Sequence, residues 1–228
     1  MARSLLLTLC ALALVASACG DDDGDGKSSS SAAQPASSAA SGGCPDVKAP
    51  APRADGGARK PTTELANGRR YTVALDTSCG TIDILLNQRT APHAAASFAS
   101  LARKGFFDRT VFHRIVPGFV IQGGDPTASG TGGPGYSTVD KPPPGTTYTE
   151  GTVAMAKAGT EPPGTAGSQF YIVTAPDAGL PPDYAVIGKV VDGKDVVKEI
   201  GKLGDPASGE AGTPLKPVVI KEATVSEH

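Results

Sequence analysis

The side chains with chemistry to offer are few, and most lie in the middle of the chain. Arg114 sits in the run Phe112-His113-Arg114-Ile115-Val116-Pro117-Gly118-Phe119-Val120-Ile121-Gln122-Gly123-Gly124-Asp125. A guanidinium stays charged and planar and has no proton to lend, so any chemistry at Arg114 is donation to developing electron density. An arginine met alone in a strand is more often a surface charge, so its surroundings must decide. Other chemistries find little support. There are 3 histidines (His93, His113 and His228) and no CxxC pair, so no metal site is expected. Ser168 lies in Gly167-Ser168-Gln169, outside any nucleophile elbow, and a serine triad has few histidines to draw on. The run from Gly130 to Gly135 satisfies G-x-G-x-x-G, but Pro134 and the absence of a helical pattern after it point to a turn rather than a nucleotide loop. His113 reads as a structural, hydrogen-bonded residue more readily than as a base. No cofactor is expected.

These residues need a scaffold, and the pattern around them is mainly β. Tyr71–Asp76 and Thr81–Leu86 read as a hairpin across Cys79-Gly80. Thr90 then reads as an N-cap with Pro92 in the first turn, and Ala94, Phe98, Leu101 and Ala102 fall on one helical face ending at Gly105. Short β-rich runs follow at Val111–Val116, Phe119–Gln122, Thr152–Ala156, Gln169–Thr174, Ala185–Val191 and Pro217–Val225. Lys194–Leu203 reads as a second helix with Val196, Val197 and Ile200 on one side. Many short strands between Gly/Pro turns, with two helices and no βαβ alternation, predict a closed barrel or a sandwich.

The first 67 residues read differently. Arg3, the apolar run Leu5–Ala16 and Ala16-Ser17-Ala18-Cys19 predict a signal peptide over residues 1–18. The segment resembles a bacterial lipobox, which implies lipidation of Cys19 and display on the outer face of a bacterial cell membrane. Residues 19–67 carry Asp21, Asp22, Asp23 and Asp25, a Ser/Ala run and then proline-rich sequence, with no apolar period. Such composition predicts a flexible, disordered tether. Cys44 and Cys79 are left either as a disulfide pair or as two free thiols; spacing does not choose between them. With 21 Lys+Arg against 23 Asp+Glu and a net charge of −2, nothing suggests a nucleic-acid partner.

The block from Phe112 to Asp125 resembles the signature of the cyclophilin-type peptidyl-prolyl cis-trans isomerases, FHR-x-x-PGF-x-x-QGGD. Further blocks follow in the family's order: Gly130-Thr131-Gly132-Gly133, Met155-Ala156, Gly167-Ser168-Gln169-Phe170-Tyr171-Ile172, then Leu180 and Tyr184-Ala185-Val186-Ile187-Gly188. The likeness covers about residues 68–225 and sets the expected domain at 68–226. It implies an eight-stranded antiparallel β-barrel capped by two α-helices. It also implies acceleration of X–Pro rotation in secreted or cell-envelope proteins, with Arg114 donating to the prolyl nitrogen. Phe119, Val120, Tyr171 and Leu180 are then expected around the proline ring, with Gln122 anchoring substrate or orienting Arg114. Ala156, Lys157 and Gln169 would bind the peptide before proline, and His113 and Tyr184 would flank the pocket. The chain departs from the pattern at Lys157, where Asn is common, at Gly179, where Trp is common, and at Tyr184, where His is common. The loop 160–166 is also longer than usual, which bears on the subsite before proline. Expected partners are proline-containing peptides, unfolded secreted proteins and, through the anchor, a membrane; a monomer is expected. The alternative is a proline-peptide binding module or chaperone on the same fold with little turnover.

Overall fold

Alternation of apolar and polar residues places one face of each long strand inward. In β1 (Tyr71–Thr77) the buried residues are Tyr71, Val73, Leu75 and Thr77, and in β2 (Gly80–Leu86) they are Ile82, Ile84 and Leu86. The two strands pair as a hairpin with Ser78 and Cys79 at its tip. In this computed structural model, residues 43–228 are described; the residues expected to form a signal peptide, and Cys19, lie outside them.

The remaining elements are α1 (Pro92–Arg103), β3 (Thr110–Val111), β4 (Arg114–Val116), β5 (Val120–Gly123), β6 (Thr138–Val139), β7 (Thr152–Met155), β8 (Thr165–Ala166), β9 (Phe170–Val173), β10 (Val186–Asp192), α2 (Lys194–Gly201), a 3-10 turn (Pro206–Ala211) and β11 (Val219–Glu227). Among the described residues, nine strands form one antiparallel sheet in the order β3-β11-β1-β2-β10-β7-β9-β5-β4, and β6 pairs with β8 separately.

The expected closed eight-stranded barrel is therefore corrected. The run 111–116, expected as one strand, is two. Val111 pairs with Val219 on β11, whereas Arg114 pairs with Gln122 on β5. The chain leaves one edge of the sheet and joins the other across Phe112 and His113, so the curled sheet is joined there by covalent chain. No ladder between β3 and β4 closes it among the described residues.

Inside the curl, Phe98 of α1 packs on Phe107 and Phe170 at ring separations of 4.8 and 5.2 Å. Phe112 stacks edge-on against Phe170. Leu75, Ile82, Ile84, Ile115 and Ile121 complete this core.

Two further expectations change. The cap of α1 is not Thr90, whose hydroxyl donates to Val186 O. Asp140 does that work from a distant loop, accepting from Ala94 N at 2.6 Å and bonding His93 Nδ1 at 2.7 Å. The tether, expected to run to residue 67, reaches the domain earlier. Residues 43–67 hold no helix or strand, yet they lie along the domain as a strap. Cys44 is disulfide-bonded to Cys79. Arg53 N donates to Pro126 O, Gly56 N to Gly133 O and Ala58 N to Pro134 O. Leu65 is buried against the core. Composition misreads this stretch because backbone hydrogen bonds and a disulfide, rather than an apolar period, hold it.

Candidate active site

The strand register builds the site. Arg114 lies opposite Gln122, Gln122 opposite Tyr171, and Tyr171 opposite Ala154. Cross-strand partners share a face, so these four residues form one row on the side of the sheet away from the aromatic core. The adjacent row, Ile115-Ile121-Ile172-Val153, points into the core.

Arg114 is half-buried and held on two sides. Its Nε donates to Glu210 O at 2.9 Å, from the end of the 3-10 turn, and Nη1 donates to Gln122 Oε1 at 3.2 Å. Gly212 is needed beside it, because a Cβ there would lie 2.8 Å from Arg114 Cγ. Two of the five guanidinium donors are thus committed, and the other three are unengaged among the described residues. Gln122 Nε2 in turn donates to Gln169 Oε1 at 3.0 Å, and Gln169 Nε2 to Gly132 O at 2.9 Å.

Beside the arginine lies an apolar cluster separate from the main core. Val120, Tyr148, Ala154, Tyr171 and Val173 are its buried floor, and Phe119, Ala156, Leu180 and Tyr184 pack around them. Three tyrosines make its aromatic wall: Tyr148–Tyr184 and Tyr171–Tyr184 meet edge-on at 5.9 and 5.6 Å. Tyr148 fixes Tyr184 from both sides, donating its hydroxyl to Tyr184 O at 2.8 Å and accepting from Tyr184 N at 2.9 Å. The Tyr171 hydroxyl is buried without a hydrogen-bond partner among the described residues, and burial pushes its pKa far up. This phenol stays neutral.

On the other side of Gln122 and Gln169 opens a cleft of about 440 Å³, bordered by Gly132, Lys157, Glu161 and the strap's Asp55. Asp125 anchors its glycine-rich rim. Burial alone would raise the Asp125 pKa, but bonds from Thr127 Oγ1 and N, Gly130 N and Gly132 N outweigh burial and hold it low. A Cβ on Gly132 would sit 2.2 Å from Asp125 Oδ1, so only glycine fits.

Lys157 does not project freely into the cleft. Its Nζ donates to Ala158 O and Glu161 O and lies 5.6 Å from the Tyr184 ring centre. His113, half-buried beside Arg114, has no well-formed hydrogen bond on either ring nitrogen among the described residues; burial lowers its pKa, with Asp125 and the nearby Gln169 side chain opposing in part.

The model of the family described as cyclophilin type peptidyl-prolyl cis-trans isomerase/CLD matches residues 72–225. The chain belongs to this family. This cyclophilin is 36% identical over 160 residues to peptidyl-prolyl cis-trans isomerase-like 1 of Gibberella zeae, spanning 68% of this chain and 95% of the relative. It is 37% identical over 173 residues to peptidyl-prolyl cis-trans isomerase A of Mycobacterium tuberculosis, spanning 68% and 92%. Among solved structures, it resembles a Cryptosporidium parvum cyclophilin-type isomerase crystallised in the presence of the dipeptide Ala-Pro. That match has 31% identity and a TM-score of 0.61, covering 68% of this chain and 98% of the other.

The cyclophilin fold brings the residues expected from sequence into one place. Arg114, Gln122 and Gln169 are linked, Phe119, Val120, Tyr171, Leu180 and Tyr184 share the apolar cluster, and Ala156 and Lys157 line its boundary with the cleft. Sequence reading missed three contributors. Tyr148 is a lone aromatic in a Gly/Thr-rich stretch, and Glu210 acts through its carbonyl. Asp55 lies in the segment read as tether, outside the matched residues.

Proposed function

We propose that this cyclophilin accelerates rotation about X–Pro bonds without a covalent step, with Arg114 as the catalytic residue. The observation that carries the reading is a half-buried guanidinium, fixed by Glu210 O and Gln122, beside an apolar cluster outside the main core. Rotation faces a barrier of roughly 18–20 kcal/mol because the amide must lose its resonance. As it twists, the prolyl nitrogen pyramidalises and regains a lone pair. A donor aimed at that lone pair gains its bond only in the transition state, which lowers the barrier without deepening the ground state. A contribution of about 10²–10³ in rate is reasonable for one such donor.

The proline ring would rest on Phe119, Val120, Tyr171 and Leu180. An apolar wall favours the twisted amide, which is less dipolar than the planar one. The residues before proline would run over Ala156, Lys157 and Gln169, flanked by His113 and Tyr184. A relative crystallised with Ala-Pro supports a dipeptide as the minimal ligand.

Clients would be secreted or cell-envelope proteins. The Cys44–Cys79 disulfide supports an oxidising compartment, where such bonds persist. Lipidation at Cys19, a tether, and a monomer held at the outer face of the bacterial cell membrane complete the proposal.

The test is exchange NMR on a short Ala-Pro peptide with the protein and its Arg114→Ala variant. The expected result is fast exchange with the parent, cut at least about tenfold in the variant while peptide binding persists. Binding without acceleration would instead make the chain a proline-peptide receptor.

A further inference from the structure

The chain of hydrogen bonds that begins at Arg114 does not stop at Gly132. Gly132 O and the Gly133 N–H are the two ends of one planar peptide group. Its carbonyl accepts from Gln169 Nε2 at 2.9 Å, and its N–H donates to Asp55 Oδ1 at 2.6 Å. Four bonds therefore run in one direction: Arg114 to Gln122, Gln122 to Gln169, Gln169 to Gly132, and Gly133 to Asp55.

The direction follows from the ends. A guanidinium can only donate and a carboxylate can only accept, so the two glutamine amides between them have one orientation that satisfies every link. Aligned bonds of this kind polarise one another, and a charge at each end strengthens the set. We infer that Asp55, on the strap, is a positioning residue for Arg114, acting through the 132–133 peptide, Gln169 and Gln122.

Two observations support a built relay. The strap meets the glycine-rich rim backbone to backbone, with Gly56 N on Gly133 O and Ala58 N on Pro134 O. At that meeting a Cβ on Gly135 would lie 3.1 Å from Gly56 Cα, and Gly135 has φ +86°. Asp125 holds the same rim from within through Gly130 N and Gly132 N, so Gly132 is fixed through its own N–H by a buried carboxylate while the peptide that follows it meets the strap.

The inference rests on Arg114 acting as proposed, and the experiment separates the two. Asp55→Ala and Asp55→Asn are made in the full chain, with Arg53→Ala as a control. Arg53 anchors the strap elsewhere, on Phe106 O and its ring. Asp55→Ala is expected to lower kcat about three- to tenfold with KM within about twofold, and to shift the side-chain amide resonances of Gln122 and Gln169. Asp55→Asn, which can still accept, falls in between, and Arg53→Ala leaves kcat unchanged. Unmoved glutamine resonances with unchanged kcat would overturn the relay. An equal loss in Arg53→Ala would reduce Asp55 to a strap anchor. A parent protein without activity would sink the reading of Arg114, and the resonance shifts would still decide whether the relay exists.

Discussion

A single strand register explains why so much of the site could be read from residue types. Arg114, Gln122 and Tyr171 face each other across three strands, and Phe119 and Val120 follow within a few residues. Because the side chains themselves make the contacts, their identities carry the information. Glu210 uses only its backbone, and Asp55 reaches the site through another residue's peptide, so neither identity could announce a role. His113 allows a test at this scale. Burial lowers its pKa below the ordinary 6.5, so the unfolded chain takes up this proton at a higher pH than the folded one. Stability attributable to His113 is therefore intact above about pH 6.5 and declines as pH falls below it. Urea titrations at pH 7, 6 and 5 are expected to show a steeper loss in the parent than in His113→Gln. Equal slopes would mean the ring is not desolvated.

Elements were legible where periodicity was local. β1, β2 and α1 follow from alternation and from a helical stripe, and all three fall close to where their sequences place them. What failed was punctuation by distant residues. Thr90 looks like an N-cap, but helix α1 takes its cap from Asp140, which lies 46 residues beyond the amide it accepts from. Asp140 is buried and bonds both Ala94 N and His93. Asp140→Ala is expected to cost about 1–2 kcal/mol in chemical denaturation, and Thr90→Ala a few tenths. The reverse ranking would restore Thr90 as the cap. The split of 111–116 has a similar cause. No local feature of Phe112-His113 says that the strand before it pairs with the C-terminus while the strand after it pairs with β5.

At the scale of the whole molecule, the strap changes what counts as the domain. The residues matched to the family start at 72, yet Cys44 is already part of the described fold and is locked to the tip of the β1–β2 hairpin. Opening a loop with a sequence separation of 35 releases chain entropy in the unfolded state. Reduction, or the Cys44→Ser/Cys79→Ser pair, is thus expected to lower unfolding stability by about 3–4 kcal/mol. A smaller loss would mean that the strap's hydrogen bonds hold without the disulfide. Composition hid this because the strap's few apolar side chains contribute less than its backbone and its one cross-link.

The seam at Phe112-His113 also dictates when the protein can become active. β3, just before it, has a single neighbour in the sheet among the described residues, and that neighbour is β11, far along the chain. Arg114 follows directly on the far side of the seam. During synthesis, every signature block has emerged before Val219 does, but the strand leading into the arginine still lacks its partner. These long-range pairings come late, as contacts of high sequence separation do. A folding catalyst built this way is expected to work only once β11 has been threaded between β3 and β1.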